Sequence, residues 1–192
     1  SERRLLPGPE WLAAKVIRPQ DMPLQVASGH FDVAVTGQDW LREHLCAFPS
    51  SPVVELVDLG FGKVRVVAAL SEDVPANTTE ELREFVARGG FHPLRVASEY
   101  TNIADRYLRD NHIGAYKVVP TWGASEAFLP DDADLLVDNT QTGKTLVDNR
   151  LKIIEVILRS SACLIANAES LKVPSKKARI DHLCTLLAGA VE

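Results

Sequence analysis

Apolar residues in this chain come in short runs punctuated by Gly, Pro, Asp and Asn, and the runs alternate between two periods. Phe31 to Val35 reads as a buried strand stopped by Thr36-Gly37. Val53 to Val57 and Lys63 to Leu70 read as strands separated by Gly60-Phe61-Gly62. Between them, Gln38 to Leu45 places Trp40, Leu41 and Leu45 on one helical side. An earlier helix is predicted from Asp21 as N-cap, with Pro23 in its first turn and Gly29 as its stop. Thr78 and Glu81 have the spacing of a capping box, opening a helix that Gly89-Gly90 closes. Leu94 to Ser98, Tyr116 to Val119 and Asp134 to Val137 are further strands. A helix capped by Asn102 runs to about Asn111, and short helical turns are predicted near Ser125 to Leu129 and Thr145 to Asn149. Ile153 to Leu158 and Ala162 to Ala166 are apolar enough for core strands. From Pro174 the tail is helical, with Ile180, Leu183 and Leu187 at +3 and +4.

Strands alternating with helices predict an α/β fold. In two places strand follows strand directly, which predicts mixed sheets, and two lobes joined by paired strands rather than by a linker.

Composition narrows the function classes. Of 192 residues, 46% are hydrophobic and 24% charged, an ordinary globular balance that excludes wholesale disorder. The net charge of −5 argues against a broad nucleic-acid footprint. No apolar run approaches the roughly 18 residues of a membrane span. Cys46, Cys163 and Cys184 are far apart and form no CxxC pair; they read as reduced thiols of a cytoplasmic protein. The five histidines have no ligand spacing, and Asp131-Asp132-Asp134 reads as a solvated acidic turn rather than a metal site. The three tryptophans read as packing residues, with Trp122, beside Gly123, the best exception as a nucleobase platform.

The segment from Asp134 to Leu146 carries the most chemistry. A buried strand leads into Asp138, then a loop of hydroxyls around Gly143, then a helix start. Such a loop can turn backbone N–H groups and hydroxyls toward one phosphate, and Gly143 allows close backbone approach. Thr142-Gly143-Lys144-Thr145 imitates the end of a P-loop, but the first glycine of that motif falls on Asp138, where a carboxylate would repel a phosphate. An acidic residue followed by a Thr/Gly loop suits a ribose 5-phosphate better: the carboxylate takes sugar hydroxyls and the loop takes the phosphate.

Seven segments, in order along most of the chain, resemble the motifs of the ATP phosphoribosyltransferase family, which opens histidine biosynthesis. They are Arg18 to Pro23 (RPQDMP), Asp32 to Asp39 (DVAVTGQD), Glu55 to Gly62 (ELVDLGFG, followed by the basic, apolar KVRVV), Arg95 to Asn102 (RVASEYTN), Gly123 to Glu126 (GASE), Asp138 to Leu146 (DNTQTGKTL) and Ser160 to Asn167 (SSACLIAN). The resemblance implies a two-lobed fold similar to type II periplasmic binding proteins, with the active site in the cleft between lobes. Lobe I would comprise residues 1–70 and 158–192, lacking the family's first strand and its Lys-Gly-Arg loop, and lobe II residues 71–157. The implied reaction is Mg²⁺-dependent transfer of the phosphoribosyl group of phosphoribosyl pyrophosphate to N1 of ATP, with the metal carried by substrate phosphates rather than by protein ligands. By the same resemblance Thr140, Gln141, Thr142, Gly143, Lys144 and Thr145 hold the 5-phosphate and Asp138 takes ribose hydroxyls. Glu126 faces the same cleft, and Arg18 and Asp39 line it from lobe I.

With one amphipathic helix after Asn167, the chain resembles the family's short form. That form implies a homodimer and a regulatory subunit similar to histidyl-tRNA synthetase. The competing expectation is a non-catalytic two-lobed module that holds a phosphosugar or nucleotide. A third, an extracytoplasmic solute binder, would share the fold. Departures from the family pattern include Asn139 in place of an apolar residue, Thr101 in place of Pro, and Asp131 in place of Gly in a stretch one residue short.

Overall fold

The computed structural model describes residues 10–189; the N-terminal Arg3-Arg4 and Pro7-Gly8-Pro9 lie outside the described residues. A 3-10 turn at Pro19–Asp21 leads into α1 (Met22–Ala27), then β1 (Val33–Gly37), α2 (Gln38–Ala47) and β2 (Val53–Asp58). Next come β3 (Val64–Ser71), α3 (Thr79–Ala87), β4 (Leu94–Ser98), α4 (Thr101–Asp110) and β5 (Tyr116–Pro120). After a second 3-10 turn at Ser125–Phe128 follow β6 (Leu135–Thr140), α5 (Lys144–Asp148), β7 (Leu151–Ser160), β8 (Ala162–Asn167), α6 (Ala168–Leu171) and α7 (Pro174–Gly189). The chain divides into two compact units. One holds the described residues up to His44, Phe48–Gly62 and those from Ser161 onward; the other holds Leu45–Ala47 and Lys63–Ser160.

In the first unit β8 lies between β1 and β2, antiparallel to both. Its residues Cys163 to Ala166 are all buried, as a central strand covered on both faces requires. Asn167 at its end accounts for all its polar groups locally. Its Nδ2 donates to the Val26 carbonyl at 2.8 Å, tying down the end of α1, and its Oδ1 accepts from Glu169 N, capping α6. Helix α7 buries Ile180 and half-buries Leu183 and Leu187, the three positions its spacing marks.

The second unit is a five-stranded mixed sheet in the order β5-β4-β6-β3-β7. Strands β5, β4 and β6 run parallel, and β3 turns antiparallel between β6 and β7. Val66 to Leu70 of β3 and Leu135 to Val137 of β6 are excluded from solvent. One core face joins Val67 and Ala69 of β3, Ala97 of β4, Leu136 of β6, Leu146 of α5 and Leu151 of β7.

Several local expectations need correction. Strand β3, assigned to the first lobe by sequence, is the second-to-last strand of the second unit's sheet, because its ladder partners are β6 and β7. Asp21 makes no N-cap bond; its carboxylate pairs with Arg18 at 3.0 Å, and the backbone there is already helical. Helix α4 starts one residue before Asn102. Strand β1 starts two residues late and includes Thr36-Gly37, held by pairing with Cys163 and Ala162. The Thr78 cap forms as expected, its Oγ1 accepting from Glu81 N at 3.2 Å; the Glu81 carboxylate returns to Asn77 N rather than to Thr78.

Candidate functional site

Strand β6 does not stop at Asp138. It continues to Thr140, because β3 supplies partners opposite Asp138 (Val67), Asn139 (Val66) and Thr140 (Arg65). Side chains two apart on a strand share a face. Leu136, Asp138 and Thr140 therefore line one face of β6, leading from the apolar core to the rim. This places the Asp138 carboxyl against Val67 and the core, and burial raises its pKa from 3.8 to about 6. Hydrogen bonds from Ser125 and from Asn139 N (2.7 Å) oppose the rise, while the charges of Glu99 and Glu126 add to it.

Ser125 is delivered by a strained turn. Gly123 (φ 97°) and Ala124 (φ 51°) are both left-handed, and for a non-glycine residue this costs roughly 1–2 kcal/mol. The turn buries Ser125, whose Oγ also lies 2.7 Å from Thr121 Oγ1. Thr121, Ser125 and Asp138 thus form one polar chain through the sheet end. Glu126, next in the same turn, is half-buried and acts on Asp138. Asn139 Nδ2 donates to the hydroxyl of the fully buried Tyr100 at 2.9 Å, fixing the strand end from the opposite face.

The loop proper is only Gln141 to Gly143. Gly143 has φ 81°, the left-handed region that glycine reaches without strain, and it opens α5. Two amides expected to face a phosphate are already taken: Gly143 N donates to Thr140 Oγ1 (2.9 Å) and Lys144 N to Thr142 Oγ1 (3.2 Å). As acceptors in these bonds, both threonine hydroxyls keep their own proton to donate outward. Lys144 Nζ pairs with Asp148 at 2.8 Å, an exposed contact that costs little to exchange. Gln141, Thr142 and Thr145 are exposed. The guanidinium of Arg65 reaches the loop: a Cβ on Gly143 would lie 3.7 Å from its Nη2.

The structure therefore brings Asp138, Glu126, Thr140 and the Gln141 to Thr145 segment together within the second unit. Arg18 and Asp39 belong to the first. Arg18 is exposed and paired with Asp21. Asp39 is buried at the start of α2, folded so closely over Gly37 that a Cβ there would overlap its carboxylate. Glu99 and Arg65 lie inside motifs without a role read from sequence; the charge of Glu99 on Asp138 and the pairing of Arg65 with Thr140 reveal them. Trp122, the tryptophan singled out by sequence as the exception to packing, is 84% exposed. Among the described residues no three His, Cys, Asp or Glu side chains group to hold a metal ion, and no helix is long and apolar enough to cross a membrane. Cys46, Cys163 and Cys184 are free thiols.

Comparison with known proteins agrees with the sequence motifs. Residues 18–189 match the family described as ATP phosphoribosyltransferase (HisG). A relative from Chlorobium luteolum named ATP phosphoribosyltransferase is 40% identical over 185 residues, covering 94% of this chain and 58% of the relative. One of the same name from Thermodesulfovibrio yellowstonii is 34% identical, covering 95% and 59%. The chain thus spans under two thirds of the length of these relatives. Among solved structures, the ATP phosphoribosyl transferase (HisG:HisZ) complex from Thermotoga maritima superposes with a TM-score of 0.77 at 21% identity, over 96% of this chain and 82% of that one. The periplasmic aliphatic sulphonate binding protein SsuA from Escherichia coli follows at 0.53 and 15%, over 90% and 56%. These structural likenesses show the fold, which this chain shares with periplasmic binding proteins.

Proposed function

The chain belongs to the ATP phosphoribosyltransferase family, and from that membership we propose that it transfers the phosphoribosyl group of phosphoribosyl pyrophosphate to N1 of ATP. The observation that carries this reading is the single face of β6. Asp138 and Thr140 stand about 6.6 Å apart along the strand, with a left-handed glycine loop immediately beyond. A ribose 5-phosphate meets a carboxylate at its hydroxyls and the hydroxyl loop of Thr140, Thr142 and Thr145 at its phosphate. Glu126 flanks the sugar.

The chemistry asks little proton transfer of the protein. Adenine N1 is unprotonated at neutral pH and attacks C1 of the ribose as the bond from C1 to the pyrophosphate oxygen breaks. The protein's task is to orient the two reactants and stabilise a cationic sugar. A half-buried carboxylate near C1 suits that charge. Mg²⁺ favours one or two carboxylates plus substrate phosphates over all-protein cages. The donors here fit that pattern: the leaving pyrophosphate would carry the metal, neutralising its charge, with the carboxylates of Asp138 and Glu126 beside it.

We assign the protein to the cytoplasm, to a homodimer, and to a regulatory subunit resembling histidyl-tRNA synthetase. The T. maritima neighbour, solved as a HisG:HisZ complex, supports a second subunit. Calorimetry with phosphoribosyl pyrophosphate, followed by a pyrophosphate-release assay with ATP, tests the reading. Binding and ATP-dependent release are expected, with turnover raised and made histidine-sensitive by the partner. Absence of binding would sink the assignment. Binding without turnover, with and without the partner, would favour a non-catalytic phosphosugar module.

A further inference from the structure

We propose that Arg65 is a direct ligand of the phosphate held by the Gln141 to Gly143 loop, so that the anion is gripped between the loop hydroxyls and a guanidinium from the neighbouring strand. This rests on the reading of the loop as a phosphoribosyl site, and assigns its cation.

The argument begins with register. Arg65 lies directly opposite Thr140 on β6 and directly opposite Arg159 on β7. Directly opposed residues of antiparallel strands point to the same face, so Thr140, Arg65 and Arg159 form a row across three strands. Two like charges opposite one another are unfavourable in a sheet. Neither is relieved from within: among the described residues, neither the Arg65 nor the Arg159 side chain makes a hydrogen bond or an ion pair. Arg65 is also half-buried, and a guanidinium withdrawn from water is normally paired. Its Nη2 sits close enough to Gly143 that an added Cβ would be in contact at 3.7 Å. The group therefore stands at the loop where the Thr140 hydroxyl proton is available. The next row on this face belongs to Asp138, whose neighbouring charges are Glu99 and Glu126. The face is thus cationic at the loop end and anionic at the core end, the polarity of a sugar phosphate lying along it. Arginine suits the cationic end because its planar fork matches two phosphate oxygens at once.

The test compares wild type, Arg65→Gln, Arg65→Lys, Arg159→Gln and Thr142→Ala by calorimetry with ribose 5-phosphate and with phosphoribosyl pyrophosphate, the fold being checked by circular dichroism. Arg65→Gln is expected to weaken both ligands by about tenfold or more, the range for a lost charged hydrogen bond. Arg65→Lys should recover part of that loss, and Arg159→Gln should stay within about threefold. If Arg65→Gln binds as wild type while Thr142→Ala does not, the Arg65 assignment is overturned and the loop stands. If neither variant loses affinity, the loop reading falls and the Arg65 assignment with it. Equal losses in Arg65→Gln and Arg65→Lys would mean packing rather than phosphate contact, and overturn it too. Should Arg65→Gln not fold, the Nε–Hε resonance of Arg65 in the wild type, identified through Arg65→Lys, decides. It should shift on adding ribose 5-phosphate; a shift of the Gly143 amide alone would overturn the proposal.

Discussion

Two aspartates, one in each unit, are treated in opposite ways. Asp32, just before β1, accepts from Ser170 Oγ at 2.6 Å and from Lys176 Nζ at 2.7 Å, and these bonds lower its pKa below 3.8. Asp138, in β6, faces an apolar core and two further carboxylates, and its pKa rises to about 6. The first carboxylate is spent on holding α6 and α7 against the segment that leads into β1. The second is left under-compensated at the end of a sheet, where a ligand's hydroxyls could satisfy it. A charge kept at a cost to stability is a functional-site signature, whereas a charge consumed by its own fold is not.

The largest expected effect is at Asp138. Replacing it with Asn removes an ionised acceptor of ribose hydroxyls. Phosphoribosyl pyrophosphate binding should fall by roughly tenfold to a hundredfold, as for hydrogen bonds to a charged group. The same variant should be more stable than wild type at pH 8. The sign follows from the raised folded pKa: whatever Asp138 contributes is complete below 3.8 and is lost as pH rises through about 6. A gain of about 1–2 kcal/mol at pH 8, shrinking toward pH 4, is expected in thermal melts. Lower stability at pH 8 would erase the contrast with Asp32.

Next come the loop variants. Thr142→Ala should weaken the same ligand by about tenfold, while loss of its bond from Lys144 N lowers the melt only slightly. Gly143→Val should weaken it more strongly and lower the melt as well, since a β-branched residue at φ 81° adds strain of about 1–3 kcal/mol. Wild-type affinity in both would remove the loop from the site.

How much of this was legible in the sequence depends on range. The chemistry proposed for the Asp138 to Leu146 segment rests on local pattern: one acidic residue, one glycine and three threonines. The Thr78 cap and the α7 stripe were equally local. Non-local pairing was not legible. The extension of β6 to Thr140 depends on β3 lying beside it, and so does the place of β3 in the second unit. Glu99 and Arg65 acquire a role only once strands distant in sequence are neighbours. Asp21 failed as a cap for a local reason instead: Arg18, three residues back, competes for its carboxylate.

The smallest effect expected is at Asp32, and it sharpens the comparison most. Asp32 and Lys176 are both nearly half exposed, at 44% and 48% of their side chains, so solvent screens the pair. Asp32→Asn should therefore cost only about 0.5 kcal/mol, the scale of a surface ion pair, or about 1–2 °C in a chain of this size. The direction with pH is opposite to that at Asp138. With its folded pKa lowered, the Asp32 contribution is present above 3.8 and fades as pH falls through the lower folded value. Wild type and Asp32→Asn should therefore differ in melting temperature at pH 7 and converge in strong acid. Affinity for phosphoribosyl pyrophosphate should be untouched at every pH. Loss of affinity in Asp32→Asn, with melting unchanged, would place a functional carboxylate in the first unit where the hydrogen bonds argue for a structural one.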